Sequence, residues 1–244
     1  LLPAIGLCDA MRIGPDVGSR WHFPLNEAVW QYGNCCVKAG MRYAMFNHWM
    51  HGLFWQNDPD CLVARSRSNG IEHRQFQRFF PGMEIDESKF GLSWNEFLAF
   101  GKLAWFTGGL FFLSDDWADL EPGRQAMLVR LSEPNPQDVE LVDWYPDFDV
   151  AIFRTRSGPL KVGIFNIGDT AETVRLPSGH LGLDGGRVRF AEMTEPLSFE
   201  TQGEWIVFPE MPPHSGRIYF LAGAEPGDGS GAREGYGRWK PASA

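Results

Sequence analysis

Short apolar runs that do not alternate, each ending in an acidic loop and separated by helical patterns, constrain this chain most. Leu53 to Asn57 and Leu110-Phe111-Phe112-Leu113 are runs of this kind. Buried strands about four residues long suit a parallel sheet covered on both faces. Parallel neighbours need long crossovers, and the intervening sequence supplies helices. Pro24 to about Arg42 carries Leu25, Ala28, Val29, Tyr32 and Cys36 at helical spacing. Ser93-Trp94-Asn95-Glu96 matches a capping box. It predicts a helix to about Trp105 with Phe97, Phe100, Leu103 and Ala104 on its buried face, ended by Gly108-Gly109. Pro122 stands where a first helical turn accepts proline, predicting a helix to about Leu131. This is α/β rhythm, in which chemistry gathers at the carboxyl ends of strands.

The texture changes near residue 135, after Glu133-Pro134-Asn135-Pro136. Beyond it, β-branched runs alternate with Gly and Pro turns. Val150 to Phe153, Leu160 to Asn166, Thr173 to Leu176, Val188 to Ala191, Trp205 to Phe208 and Arg217 to Leu221 read as strands of a small antiparallel sandwich. From about Ala224 the chain is rich in Gly, Pro and Ser without periodicity, and disorder is expected. The division is therefore 1–135, 136–223 and a tail, 224–244.

The 244 residues carry a net charge of −9, which argues against nucleic-acid binding, because that needs a basic stripe. No window reaches about 18 uncharged apolar residues, so no membrane span is expected. The chain has no starting Met and no basic, then apolar leader; Leu1-Leu2-Pro3 reads as the middle of something longer. Cys8, Cys35, Cys36 and Cys61 lack the spacing of a zinc site. They read as ordinary thiols, which leans toward a reducing, cytoplasmic setting. His22, His48, His51 and His73 likewise lack ligand spacing and read as satisfied loop or core histidines.

Three polar clusters follow strand positions. In Asp9-Ala10-Met11-Arg12-Ile13-Gly14-Pro15-Asp16, closed by Trp21, an arginine lies four residues before a carboxylate whose position and charge it can set. Beside an aromatic wall such a carboxyl holds its proton and can act as a general acid. The same pair also reads as a surface ion pair or loop cap. Trp55-Gln56-Asn57-Asp58-Pro59-Asp60-Cys61 places two carboxylates around a proline after an aromatic run. That suits a sugar site, or a turn that locks the strand end. In Ser114-Asp115-Asp116-Trp117 the Asp pair can bind substrate or cap the next helix. There is no nucleophile-elbow serine motif, phosphate-cradling loop or dinucleotide fingerprint.

Together, Arg12-Ile13-Gly14-Pro15-Asp16-Val17, Trp55 to Leu62, Gly91-Leu92-Ser93-Trp94-Asn95-Glu96 and Leu110 to Asp116 resemble the α-galactosidase clan of retaining glycoside hydrolases (clan D), nearest its family 36, melibiase-like branch. The resemblance runs in order over 1–135. It implies about three of the eight strand–helix units of a (β/α)8 barrel, the C-terminal part, followed by a small antiparallel β-sandwich. It further implies that Asp16 is the acid/base, that Arg12 holds a sugar hydroxyl, and that Trp55, Asp58, Asp60 and Asp115 contact substrate.

A whole barrel needs about 250 residues, so five strand–helix units are expected to be absent here. With them goes the clan's nucleophile, an Asp in a Lys-Trp-Asp-like motif; Asp143-Trp144 and Asp116-Trp117 have the wrong order. Retention needs two carboxylates about 5 Å apart, so this chain by itself should be nearly inactive. It should also expose an unpaired parallel strand and apolar helix faces, favouring association, including with its own copies. The expected partner is an α-galactoside. Neither metal nor organic cofactor is required for such chemistry. The alternatives are a related α-glycosidase acting on N-acetylgalactosamine or glucose, and a non-catalytic sugar-binding or structural module.

Overall fold

The computed structural model describes residues 4–22, 35–70, 86–133, 138–145 and 149–225, with the single positions Arg74 and Arg78. Its first part is a sector of parallel strands. Strand β1 (Ala10–Arg12) pairs in parallel with β2 (Gln56–Asp58), with Arg12 opposite Asp58. Residues 110–114 run parallel to the chain after β2: Leu110 N donates to Asn57 O (2.7 Å), Leu62 N to Phe112 O (2.7 Å), and Ser114 N to Leu62 O (3.3 Å).

Two expectations need correction here. The second strand begins at Gln56, not Leu53, because Gly52 (φ +70°) turns the chain and Gly52 N closes on Trp55 O. That leaves Leu53 exposed. The expected buried strand Leu110–Leu113 is reduced to one bridge, Leu62 with Leu113, and Phe112 is exposed. Pro59 interrupts the facing ladder because it has no N–H to donate.

Helix α1 (Val37–Asn47) crosses from β1 to β2. It buries Val37, Gly40, Met41, Ala44 and Met45, one face at helical spacing. It starts after Cys36 and runs five residues past Arg42; the expected turns over 24–34 lie outside the described residues. Helix α2 (Trp94–Thr107) has the expected capping box: Ser93 N donates to Glu96 Oε2 (2.8 Å) and Glu96 N to Ser93 Oγ (3.3 Å). Gly108, at φ +76°, ends it in the left-handed region that favours glycine. Helix α3 (Pro122–Leu131) opens on its proline.

Helix α2 is buried almost all round, because it lies between the parallel sector and a large sheet. That sheet comprises β3 (Val139–Tyr145), β4 (Val150–Thr155), β5 (Lys161–Asn166), β7 (Arg187–Glu192), β8 (Ser198–Thr201) and β10 (Ser215–Glu225), in the order β3-β4-β5-β10-β7-β8, antiparallel throughout. A pair, β6 (Arg175–Pro177) and β9 (Trp205–Val207), forms a separate two-stranded sheet. Strands β4 and β5 have both faces buried. Ala151, Phe153, Phe165 and Ile218 face the core shared with α2, while Ile152, Ile164, Phe190 and Tyr219 join Leu176, Ile206 and Phe208 of the second cluster. The sandwich is thus six strands over two, with a helix on the opposite face of the larger sheet. Strands β3 and β8 were not expected from the sequence; of the tail expected from Ala224, residues 224 and 225 belong to β10 and the rest lie outside the described residues. No helix among the described residues is long and apolar enough to cross a membrane.

The approach of α2 to β10 is close at Gly216, where a Cβ would stand 3.0 Å from Ala99 Cα. Beside it, Lys102 Nζ donates to Glu192 Oε1 (2.8 Å) and Gly216 O (3.0 Å), an ion pair with both side chains fully buried. Glu192 is held below the ordinary carboxylate range. Burial works against that charge, but Lys102 and the N–H groups of Thr194 and Glu195 outweigh it.

Candidate active site

Parallel pairing of β1 with β2 brings their last residues, Arg12 and Asp58, side by side. The Arg12 guanidinium then serves three carboxylates: Nη1 meets Asp16 Oδ1 at 3.0 Å, Nε donates to Asp58 Oδ2 at 3.2 Å, and Nη2 meets Asp60 Oδ1 at 2.9 Å. Burial opposes the guanidinium charge, but these acids outweigh it and raise the Arg12 pKa. The planar five-donor fork of arginine suits such multiple pairing, which a lysine could not reproduce.

The carboxylates are unequal. The Asp16 side chain is 89% exposed, that of Asp58 20%. Asp60 is buried and acts within the protein: its Oδ2 accepts from Val17 N (2.6 Å) and its Oδ1 from Cys61 N (2.6 Å). It holds φ at +81°, unusual for a residue other than glycine. Asp58 Oδ1 accepts from Asp60 N (2.9 Å), so the Asp-Pro-Asp turn closes on itself while Asp58 still reaches Arg12. Burial and then neighbouring carboxylates push the thiols of Cys35 and Cys61 up; Asp16 contributes at Cys35 and Asp60 at both.

The sequence placed Trp55, Asp60 and Asp115 against a sugar; the structure places all three inside. The Asp115 side chain is 3% exposed. Its Oδ2 accepts from Ala64 N (2.5 Å) and Arg65 N (3.2 Å), and Oδ1 pairs with Arg65 Nη1. Asp116 caps the short turn Trp117–Asp119 through Ala118 N (3.0 Å). The indole of Trp55 is buried and donates to Asn57 Oδ1 (3.1 Å). Trp21 does not wall Asp16, because it is buried and stacks on His214 at 4.6 Å.

Sequence reasoning missed the support beneath the site. Asn57 Nδ2 donates to Asn47 O (2.9 Å), Asn57 N to His51 Nδ1 (3.1 Å), and Asn47 Nδ2 to Ile13 O (2.9 Å). These bonds tie the end of α1 to both strands. The one signal in sequence was the switch from the apolar run Leu53 to Trp55 to the polar Gln56-Asn57-Asp58. His48 is also satisfied, through Met45 O (2.8 Å); burial lowers its pKa. A cleft of about 390 Å³, lined by Leu7, Asp9, Leu53, Trp55 and Gln56, lies at the opposite, amino ends of β1 and β2. It is separate from the Arg12 cluster.

An exposed carboxylate beside a guanidinium, with a second, partly exposed carboxylate across the strand gap, can accept hydrogen bonds from vicinal hydroxyls. No protein-family model matches the sequence. The fold has relatives among solved structures. An α-galactosidase I from Mortierella vinacea superposes with a TM-score of 0.62 at 14% identity over 90% of this chain and 54% of that one. A GH27 β-L-arabinopyranosidase from Geobacillus stearothermophilus gives 0.63 at 15% identity, over 89% and 46%. An α-galactosidase from Saccharomyces cerevisiae gives 0.58 at 12% identity, over 90% and 60%. The chain therefore has a melibiase-like fold and spans about half the length of these enzymes.

Proposed function

We propose that this chain is the closing part of a retaining α-galactosidase-like hydrolase of clan D, with 1–135 as the last three strand–helix units of the barrel and 136–223 as its antiparallel companion domain. The observation that carries this reading is the Arg12 fork, which gathers Asp16, Asp58 and Asp60 at the carboxyl ends of two adjacent parallel strands, the end where barrel enzymes do their chemistry. In this reading Asp16 protonates the departing glycosidic oxygen, and its carboxylate then takes a proton from the attacking water. Arg12 and Asp58 hold sugar hydroxyls, while Asp60, Trp55 and Asp115 position the loops. The nucleophile comes from barrel units beyond the described residues. The family 36 branch and a cytoplasmic setting belong to the same proposal.

The test is turnover of nitrophenyl α-galactoside, α-N-acetylgalactosaminide and α-glucoside by the 244-residue chain. No turnover is expected. Turnover that disappears in Asp16→Asn would refute the claim that the attacking group is absent. In a protein containing the whole barrel, Asp16→Asn should lower kcat about 10²–10⁴-fold, the usual worth of a general acid–base; an unchanged rate would remove Asp16 from the role. A non-catalytic sugar-binding module is the second reading. It is favoured by the 89% exposure of the Asp16 side chain, which leaves the candidate acid without the apolar enclosure a general acid uses. Galactose binding that persists when the whole barrel shows no turnover would select it.

A further inference from the structure

His214 lies between Pro213 and the start of β10, in the antiparallel part of the chain, yet it touches the loop that carries the candidate acid. Its ring stacks on Trp21, centroids 4.6 Å apart and planes 28° from parallel. Trp21 lies in the irregular segment that follows β1 and carries Asp16, and its indole Nε1 has no hydrogen-bond partner among the described residues. Stacking and packing therefore fix the indole. The two His214 ring nitrogens are both engaged by carboxylates: Nδ1 meets Glu96 Oε1 at 3.1 Å and Nε2 meets Asp169 Oδ1 at 2.7 Å. Two carboxylates on one imidazole require both ring nitrogens to carry protons, which only the cation provides. Glu96 belongs to the α2 capping box, and Asp169 follows β5. The backbone at His214 has φ +52°, and His214 N reaches Gly168 O (3.3 Å). The ring is thus held by the sheet, the helix and the loop together.

We infer that His214 is a positioning residue for the Asp16 loop, a proton-dependent clamp by which the antiparallel domain holds Trp21, and through it the backbone running back to Asp16. Its functional meaning rests on the reading of Asp16 as proton donor, but the clamp itself does not. The charged groups around it are Glu96 from α2, Asp169 from the sheet side and His22 from the loop, with Lys38 of α1 acting on Asp169 and Arg20 on His22. Lys38 pairs with Asp169 at 3.6 Å and competes for that carboxylate. Burial opposes the imidazolium, yet Glu96 and Asp169 outweigh it and raise the His214 pKa. Glu96 and Asp169 in turn sit below their ordinary values: burial opposes the Glu96 charge and His214 leads the groups that outweigh it, while at Asp169 His214 is the largest influence. The sign follows. The clamp is fully set below about pH 6.5, the ordinary histidine value, and is released as pH rises through the higher folded value. At the acid end it fails when Glu96 and Asp169 take up protons.

The test is amide hydrogen exchange at Ile13 to Trp21 on this chain from pH 5.5 to 9, corrected for intrinsic base catalysis. A severalfold step in loop opening should appear above about pH 6.5, the ordinary histidine value, while the protected core of β4 and β5 stays closed. His214→Gln should abolish the step. Asp169→Asn, at a side chain that is 76% exposed and so tolerant of change, should move its midpoint to lower pH. A flat profile in the unmodified chain, a step that survives His214→Gln, or an unmoved midpoint in Asp169→Asn would overturn the clamp. None of these readings involves a sugar, so loss of the α-galactosidase reading would leave the result standing, and the reverse holds too.

Discussion

Replacing Lys102 by Met tests how the two parts of the molecule are joined. The ammonium lies wholly inside, donating to Glu192 Oε1 and Gly216 O, and Glu192 is equally sealed. Met keeps the aliphatic stem and removes the charge. What remains is a buried carboxylate that has lost its counter-ion, although Oε2 still accepts from Thr194 N, Thr194 Oγ1 and Glu195 N, and Oε1 from Ile218 N. Breaking one side of a buried pair costs about 3–5 kcal/mol. The surviving N–H donors place the expected loss toward the lower part of that range. Chains of this size lose about 2–4 °C of Tm per kcal/mol, so a loss of about 3–4 kcal/mol should lower Tm by roughly 6–16 °C. The double variant Lys102→Met/Glu192→Gln keeps an oxygen for Thr194 and Glu195 but leaves no bare charge, and should recover at least about 1 kcal/mol of that loss. Urea unfolding followed by circular dichroism measures both. A Lys102→Met chain within about 0.5 kcal/mol of the parent, or a double variant weaker than the single, would refute the reasoning.

Other substitutions probe other joints. Gly216→Ala should destabilise by about 1–3 kcal/mol, read by thermal unfolding, because its Cβ would press on Ala99 Cα and on the Phe165 ring at 2.8 Å. Ser93→Ala removes an observed cap and should cost about 1 kcal/mol, in the same measurement. Asp60→Ala frees Val17 N and Cys61 N and deprives Arg12 of a partner. Amide exchange at Val17 should accelerate markedly there, whereas Asp60→Asn, which keeps an acceptor, should retain much of the protection.

What could be read from sequence was local chemistry. The Ser93–Glu96 box, Pro122 at a helix start and the apolar cores of β4 and β5 declare themselves within a few residues. The Arg12–Asp16 spacing also foretold a contact that exists at 3.0 Å. Features set by distant partners were hidden. Lys102 looks like a solvent-facing helix residue until Glu192, 90 positions away, is placed against it. Leu110–Leu113 looks like a full strand because nothing local reveals that Pro59 breaks the ladder opposite. Strand β3, with Glu140 and Asp143 directly after two prolines, reads as loop until β4 pairs with it. Asp115 has the composition of a site residue, and only the fold turns it inward toward Arg65.

The most direct measurement of the central claim is a titration of isotopically labelled chain with methyl α-galactoside, followed at the Arg12 guanidinium and the Asp16 and Asp58 carboxyl carbons by NMR. The account predicts saturable shifts at these three residues, with the amino-end cleft around Leu53 and Gln56 unmoved. Shifts confined to that cleft, or none at Arg12 and Asp16 up to saturating sugar, would contradict it.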